Sequence, residues 1–160
     1  MGAEDEATFG LIPIVARGWA KKCSHPIAII HHANICTNVF AARSQKSFVF
    51  SFSKHKKQPD FVRFLEKLQK KWGKVVLFID RGPCHRGAKV RKFLAEHKKT
   101  FRIFNFPRYT PELNPVEQCW KPGRKKLSNR LIKTLPTAQY HLRREFKAKN
   151  MPKMFRYFGD

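Results

Sequence analysis

Acids are scarce in this 160-residue chain, 11 Asp and Glu against 34 Lys and Arg, so the positions they occupy carry information. Asp80 closes the apolar run "KVVLFID" (74–80), which reads as a strand buried on both faces. The crevice beyond the carboxyl ends of parallel strands is where open α/β sheets hold ligands, although an Asp there also serves to cap the next turn. Glu117 stands in "YTPELNPVEQCWK" (109–121), early in a helix that Pro115 can start, where exposed N–H groups and the dipole favour a carboxylate. Each acid alone has that ordinary explanation. "IDRGPCH" (79–85), with His85 shortly after Asp80, followed by Glu117 in a frame of prolines and aromatic rings, is a joint pattern that capping does not produce. Carboxylates converging on such a crevice can hold a hard divalent cation, which takes oxygen ligands and keeps waters.

The elements that must position these groups are legible in the hydrophobic pattern. Residues 4–15 alternate weakly before turning at Pro13, and "IAIIHHANI" (27–35) and "SFVFSF" (47–52) are rich in β-formers, so three antiparallel strands are expected. His31 and His32 in the second of these are expected to be one buried and one exposed. "PDFVRFLEKLQKKW" (59–72) repeats Phe61, Phe64, Leu65, Leu68 and Trp72 at helical spacing with Pro59 in the first turn. The strand 74–80, a helix over 87–99, a short strand 101–106 and a helix from Pro115 complete a β-β-β-α-β-α-β-α order. That order is an α/β layout with antiparallel and parallel strands in one sheet flanked by helices.

Composition narrows the class. A length of 160 residues suits one domain, and 42% apolar residues with fifteen phenylalanines is not the composition of a disordered chain. A formal net charge of +23 repels itself unless a polyanion lies nearby, and nucleic acid is the natural partner. No acid stands between Ala7 and Pro59, or between Gln118 and Arg144, which marks those stretches as the expected polyanion-facing surfaces. No apolar run approaches the roughly 20 residues of a spanning helix, and "MGAEDEATFG" is acidic where a signal peptide would be basic. The expectation is a cytoplasmic, nucleoid-associated protein without a membrane partner. Cys23, Cys36, Cys84 and Cys119 are scattered with no C-x-x-C pair, so free thiols are expected.

"FIDRGPCH" and "FPRYTPELNPVEQCW" together resemble the catalytic domain of a mariner-superfamily transposase of the prokaryotic insertion-sequence branch, over about residues 4–130. The resemblance implies a ribonuclease-H-like mixed sheet and a third carboxylate on the opening strand. In "EDEATFGL" that is Asp5, which aligns best; Glu4 and Glu6 are rivals, and Glu6 points to the opposite face of the strand from Asp5. Asp5, Asp80 and Glu117 are then the expected catalytic residues and the ligands of two Mg²⁺ or Mn²⁺ ions, with His85, Asn114 and Arg81 in support. Three carboxylates without a cation would raise one another's pKa. With two ions, water attack at a transposon end frees a 3′-hydroxyl that then attacks target DNA. Lys121, Arg124, Lys125, Lys126 and Arg130 are expected on DNA, and Trp120 in the core. The family implies insertion at a TA step, which kinks easily, and a homodimer on DNA.

The pattern also departs from the family. Arg81 follows Asp80 where Asn is usual, and Cys23 stands where Gly is frequent. Pro122 and Gly123 are expected to break the helix one turn after Glu117, at a cost of about 3 kcal/mol for a helix-interior Pro, which would suit a decayed, inactive copy. Residues 131–160 are expected to form a helical segment on the same domain, and the family's helix-turn-helix module is expected to be missing. The rival reading, a basic nucleic-acid-binding protein without catalysis, leaves Asp5, Asp80 and Glu117 scattered in space.

Overall fold

A computed structural model of the chain describes residues 1–12, 14–27, 29, 34–147 and 151–152. Five strands form one sheet in the order β3-β2-β1-β4-β5. The central strand β1 (Gly2–Gly10) pairs antiparallel with β2 (Cys36–Ser44), and β2 pairs antiparallel with β3 (Phe48–Ser53). On its other side β1 runs parallel to β4 (Val75–Ile79), which runs parallel to β5 (Phe101–Asn105). This is the mixed sheet expected from the pattern of elements.

The second strand is not where its composition suggested. The apolar stretch 27–35 contributes no strand among its described residues, and Ile27 and Ile29 are exposed. His31 and His32 lie outside the described residues. The pairing strand is instead "CTNVFAARS", in continuous register from Gly2↔Ser44 to Gly10↔Cys36. Asn, Ala and Arg are poor β-formers, so local propensity hides this strand; burial between two layers of helices selects it. Ala41 and Ala42 are fully buried there, where small side chains let helices approach from opposite faces.

Helices α1 (Gln58–Trp72) and α2 (Ala88–Glu96) cover one face, where Phe61, Phe64, Leu65 and Leu68 pack on Phe40, Ala42, Leu77 and Ile79. Helices α3 (Val116–Leu127) and α4 (Leu135–Lys147) cover the other, where Trp120, Leu142 and Phe146 pack on Ala3, Ala7, Phe9, Val39 and Ala41. Successive side chains of β1 therefore enter different layers. Ala3, Ala7 and Phe9 take the α3/α4 side, and Asp5 goes with them, while Glu4 and Glu6 meet His85 on the α1/α2 side.

Pro122 does not end α3: the helix runs through it to Leu127. Its ring removes one backbone donor, and packing outweighs that loss. Gly123 is buried where a Cβ would stand 2.9 Å from Leu142 Cδ2 and 3.0 Å from Phe146 Cε1. Gly123 thus lets α3 pack closely on Leu142 and Phe146 of α4. Cys23 adopts φ 64°, a left-handed conformation that favours glycine. No helix among the described residues is long and apolar enough to cross a membrane.

Candidate active site

Asp5 and Asp80 come from neighbouring strands, Asp5 within β1 and Asp80 just past the end of β4. Glu117 is in the first turn of α3 and faces the same cavity, of about 410 Å³, lined also by Arg81, Arg86, Phe106, Arg108, Tyr109 and Asn114. The three carboxylates are therefore gathered, not scattered. Their closeness is uneven: one ligand atom each of Asp5, Glu6 and Asp80 lies within 4.8 Å of the others, and among the described residues Glu117 belongs to no such group of three.

Local chemistry holds each acid. Trp120 Nε1 donates to Asp5 Oδ2 at 2.7 Å from one turn beyond Glu117, which ties α3 to β1. Trp120 is the core residue expected. Asn114 is buried, its amide donating to Glu4 O at 3.1 Å while its Oδ1 accepts from Val116 N at 3.1 Å and its carbonyl accepts from Glu117 N at 3.2 Å. One side chain thereby pins the 107–115 loop to β1 and starts the helix that carries Glu117.

Asp80 is fixed by a tight turn. Gly82 N donates to its Oδ1 at 2.6 Å and His85 Nδ1 lies 2.8 Å from the same atom. A Cβ on Gly82 would stand 2.9 Å from that oxygen, so only glycine lets the backbone come so close. His85 is buried against the Phe61 ring, with its Nδ1 turned to Asp80. Arg81 is exposed on the cavity rim with Arg86 and Arg108, where the three guanidinium groups can meet phosphate oxygens.

Electrostatics follow from burial. Asp5 is pushed up to about 7, first by desolvation and then by the charges of Glu117 and Glu6, against the lowering effect of the Trp120 hydrogen bond. Desolvation likewise pushes Glu4 up to about 8. The hydrogen bond from His85 holds Asp80 below the usual carboxylate range. Burial opposes charge on His85, but its contacts with Asp80, Cys84, Glu4 and Glu6 outweigh burial and raise its pKa. A pocket of acids that resist ionising is one a divalent cation would stabilise.

The expected DNA contacts divide. Lys121, Lys125, Lys126 and Arg130 line one groove of about 670 Å³, and Arg124 is exposed on the same helix. Lys126 is not a free surface cation, because it is half-buried and lies 3.6 Å from Glu145. Cys84, Arg86 and Arg108 lie at or behind the cavity and had no site role in the sequence reading, while Glu4 and Glu6 entered it only as rivals to Asp5. The signal for Glu4 and Glu6 was in the text: acids two apart on a strand share a face, so "EDE" places two carboxylates beside His85.

Residues 3–139 match the family described as DDE superfamily endonuclease. No curated protein matches the sequence. Among solved structures, the chain is similar to the Mos1 strand transfer complex, with a TM-score of 0.74 and 15% identity over 97% of this chain and 49% of that one. It is likewise similar to the mariner Mos1 paired end complex with Mg, with a TM-score of 0.72 and 16% identity over 97% and 50%. The catalytic domain of Mos1 mariner transposase gives a TM-score of 0.66 and 14% identity over 93% and 70%. This chain thus spans about half the length of the first two, and the likeness establishes the ribonuclease-H-like fold. With residues 3–139 of its 160 matched, the chain belongs to the DDE superfamily endonucleases.

Proposed function

We propose that this chain is a transposase catalytic domain of mariner type, from the prokaryotic insertion-sequence branch, that cuts DNA at transposon ends and joins the ends to a target. The observation that carries the reading is the convergence of Asp5, Asp80 and Glu117 on one arginine-rimmed cavity. The donor set fits Mg²⁺ or Mn²⁺, since Asp5, Asp80 and Glu117 turn hard carboxylate oxygens to one cavity, those of Asp5 and Asp80 within 4.8 Å of each other. Asp5, Asp80 and Glu117 would hold two such ions. Bound there, they supply a more acidic attacking water and stabilise the leaving oxygen.

The chain's own residues do the rest. Arg81, Arg86 and Arg108 hold the scissile phosphate and its neighbours over the carboxylates, a charge-driven and largely sequence-blind contact. His85 and Gly82 lock the Asp80 carboxylate, Trp120 locks Asp5, and Asn114 aims Glu117, so the ligands are in place before substrate arrives. Hydrolysis breaks a P–O bond and leaves a 3′-hydroxyl; in the second step that hydroxyl attacks a target phosphodiester in the same site. A TA target, which kinks easily, and a homodimer that holds two ends belong to this reading. The basic groove of Lys121, Lys125 and Arg130, with Arg124 beside it and Lys126 paired with Glu145 in its wall, would carry the flanking duplex.

The test is nicking of supercoiled DNA, and joining of a 3′-hydroxyl oligonucleotide to plasmid, in Mg²⁺ or Mn²⁺. Wild type is expected to do both, and Asp80→Asn to lose at least about a hundredfold in rate. If wild type binds DNA and metal yet neither nicks nor joins, binding without catalysis replaces this reading.

A further inference from the structure

Behind Asp80, on the opposite face of β1 from Asp5, Glu4, Glu6, Cys84 and His85 form a second cluster of donors. Cys84 Sγ lies 2.6 Å from Glu6 Oε1, and His85 Nε2 lies 2.9 Å from Glu6 Oε1 and 3.3 Å from Glu4 Oε2. Glu4 is fully buried, yet neither of its carboxylate oxygens has a hydrogen-bond partner, and His85 Nε2 also lacks one. The close approaches to His85 Nε2 are ionic contacts without hydrogen-bond alignment. A fully buried carboxylate with no hydrogen bond, whose close contact is an ionic approach to His85, is costly, and a cation set among these donors would offset that cost.

We propose that these four side chains form a tetrahedral site for a thiophilic divalent ion, Zn²⁺ in the first instance, held by Cys84 Sγ, His85 Nε2, Glu6 and Glu4. The donor types argue for it. Thiolate and imidazole favour Zn²⁺ over Mg²⁺, whereas the carboxylate-only set of Asp5, Asp80 and Glu117 favours the harder ion. Zinc bonds of about 2.0 to 2.3 Å place tetrahedral ligand atoms roughly 3.3 to 3.8 Å apart, so side-chain shifts of about 1 Å suffice.

The surroundings are those of a zinc ligand. His85 directs its other ring nitrogen to Asp80 Oδ1 at 2.8 Å, the carboxylate–histidine arrangement that fixes the tautomer of a metal-bound imidazole. Ion binding releases to solvent the protons on Cys84 Sγ and His85 Nε2, with any proton on the Glu4 carboxyl, and leaves His85 neutral with one N–H for Asp80. The ion would be structural, with four protein ligands and no open position, and would set the Asp80 carboxylate through His85. This proposal does not depend on the strand-cleavage reading.

The test uses Co²⁺ as a spectroscopic stand-in on the full chain after chelation. One Co²⁺ per chain is expected to give a thiolate charge-transfer band with tetrahedral d–d intensity, lost when Zn²⁺ is added and unaffected by excess Mg²⁺. Cys84→Ser should abolish the band, whereas Cys36→Ser, Cys119→Ser and Asp5→Asn should keep it. Glu4→Gln, which preserves volume, should weaken Co²⁺ binding at least about tenfold, and this arm decides the matter if Cys84→Ser does not fold. No thiolate band in wild type, a band that survives Cys84→Ser, or unchanged affinity in Glu4→Gln would each overturn the proposal.

Discussion

Trp120 Nε1 donates a 2.7 Å hydrogen bond to Asp5 Oδ2, joining the helix that carries Glu117 to the strand that carries Asp5. Both partners are buried, so the bond is at once a core contact and the device that sets the distance between two acids. Trp120→Phe keeps most of the ring and removes the donor. Stability should fall by about 1 to 3 kcal/mol in denaturant titration, and metal-dependent cleavage should fall with it. Because the bond lowers the Asp5 pKa, the variant's activity should require a higher pH than wild type.

Asn114→Ala removes the contact with Glu4 O and the bond to Val116 N together. A loss of about 1 to 3 kcal/mol is expected from the buried backbone groups left unpaired. The functional loss should exceed the stability loss: at a temperature where the variant is fully folded by circular dichroism, its cleavage rate should still be down at least about tenfold, since Glu117 is no longer aimed.

The Pro122-Gly123 pair gives two opposite expectations. Gly123→Ala gains helix propensity but drives a Cβ to within 2.9 Å of Leu142, so overpacking should dominate and destabilise by about 1 to 3 kcal/mol. Pro122→Ala restores a backbone donor inside α3 and should stabilise by about 1 to 3 kcal/mol. Thermal melts of the two variants, side by side, check both signs.

Acid groups whose pKa is raised by folding penalise the folded state as pH rises. Below their ordinary values both states are protonated and nothing is gained or lost; above them the unfolded chain ionises first. Asp5, raised from 3.8 to about 7, and Glu4, raised from 4.5 to about 8, both act in this direction. His85, also raised, contributes stability that is full below its ordinary value and fades as pH rises, the same sign. The melting temperature in chelator should therefore fall between about pH 5 and pH 8, and Mg²⁺ should recover part of the loss at the upper end. A flat profile in chelator would contradict these shifts.

Much of the fold was legible because its signals are local. The helical spacing of Phe61, Phe64, Leu65 and Leu68 and the apolar run before Asp80 need no tertiary context. The strand Cys36–Ser44 was not legible, since Asn38, Ala41 and Ala42 are selected by two-sided burial, while the isoleucines at 27 and 29 that looked like a strand are exposed. Pro122 misled for the same reason: the contact of Gly123 with Leu142 and Phe146 is long-range and outweighs a missing donor. Within the site, Asp80, Glu117 and His85 stood out as a pattern, but the pairing of Glu4 and Glu6 with His85 depends on which face of β1 meets the turn after β4.

The most direct measurement is the Mg²⁺-dependent nicking rate of wild type, Glu117→Gln and Glu6→Gln on one supercoiled DNA. Glu117 shares the cavity with Asp5 and Asp80, while Glu6 lies within 4.8 Å of both but reaches toward Cys84 and His85. With Glu117 as the third ligand, Glu117→Gln should lose at least about a hundredfold in rate and Glu6→Gln should lose much less. Nicking by Glu117→Gln at the wild-type rate would contradict the assignment.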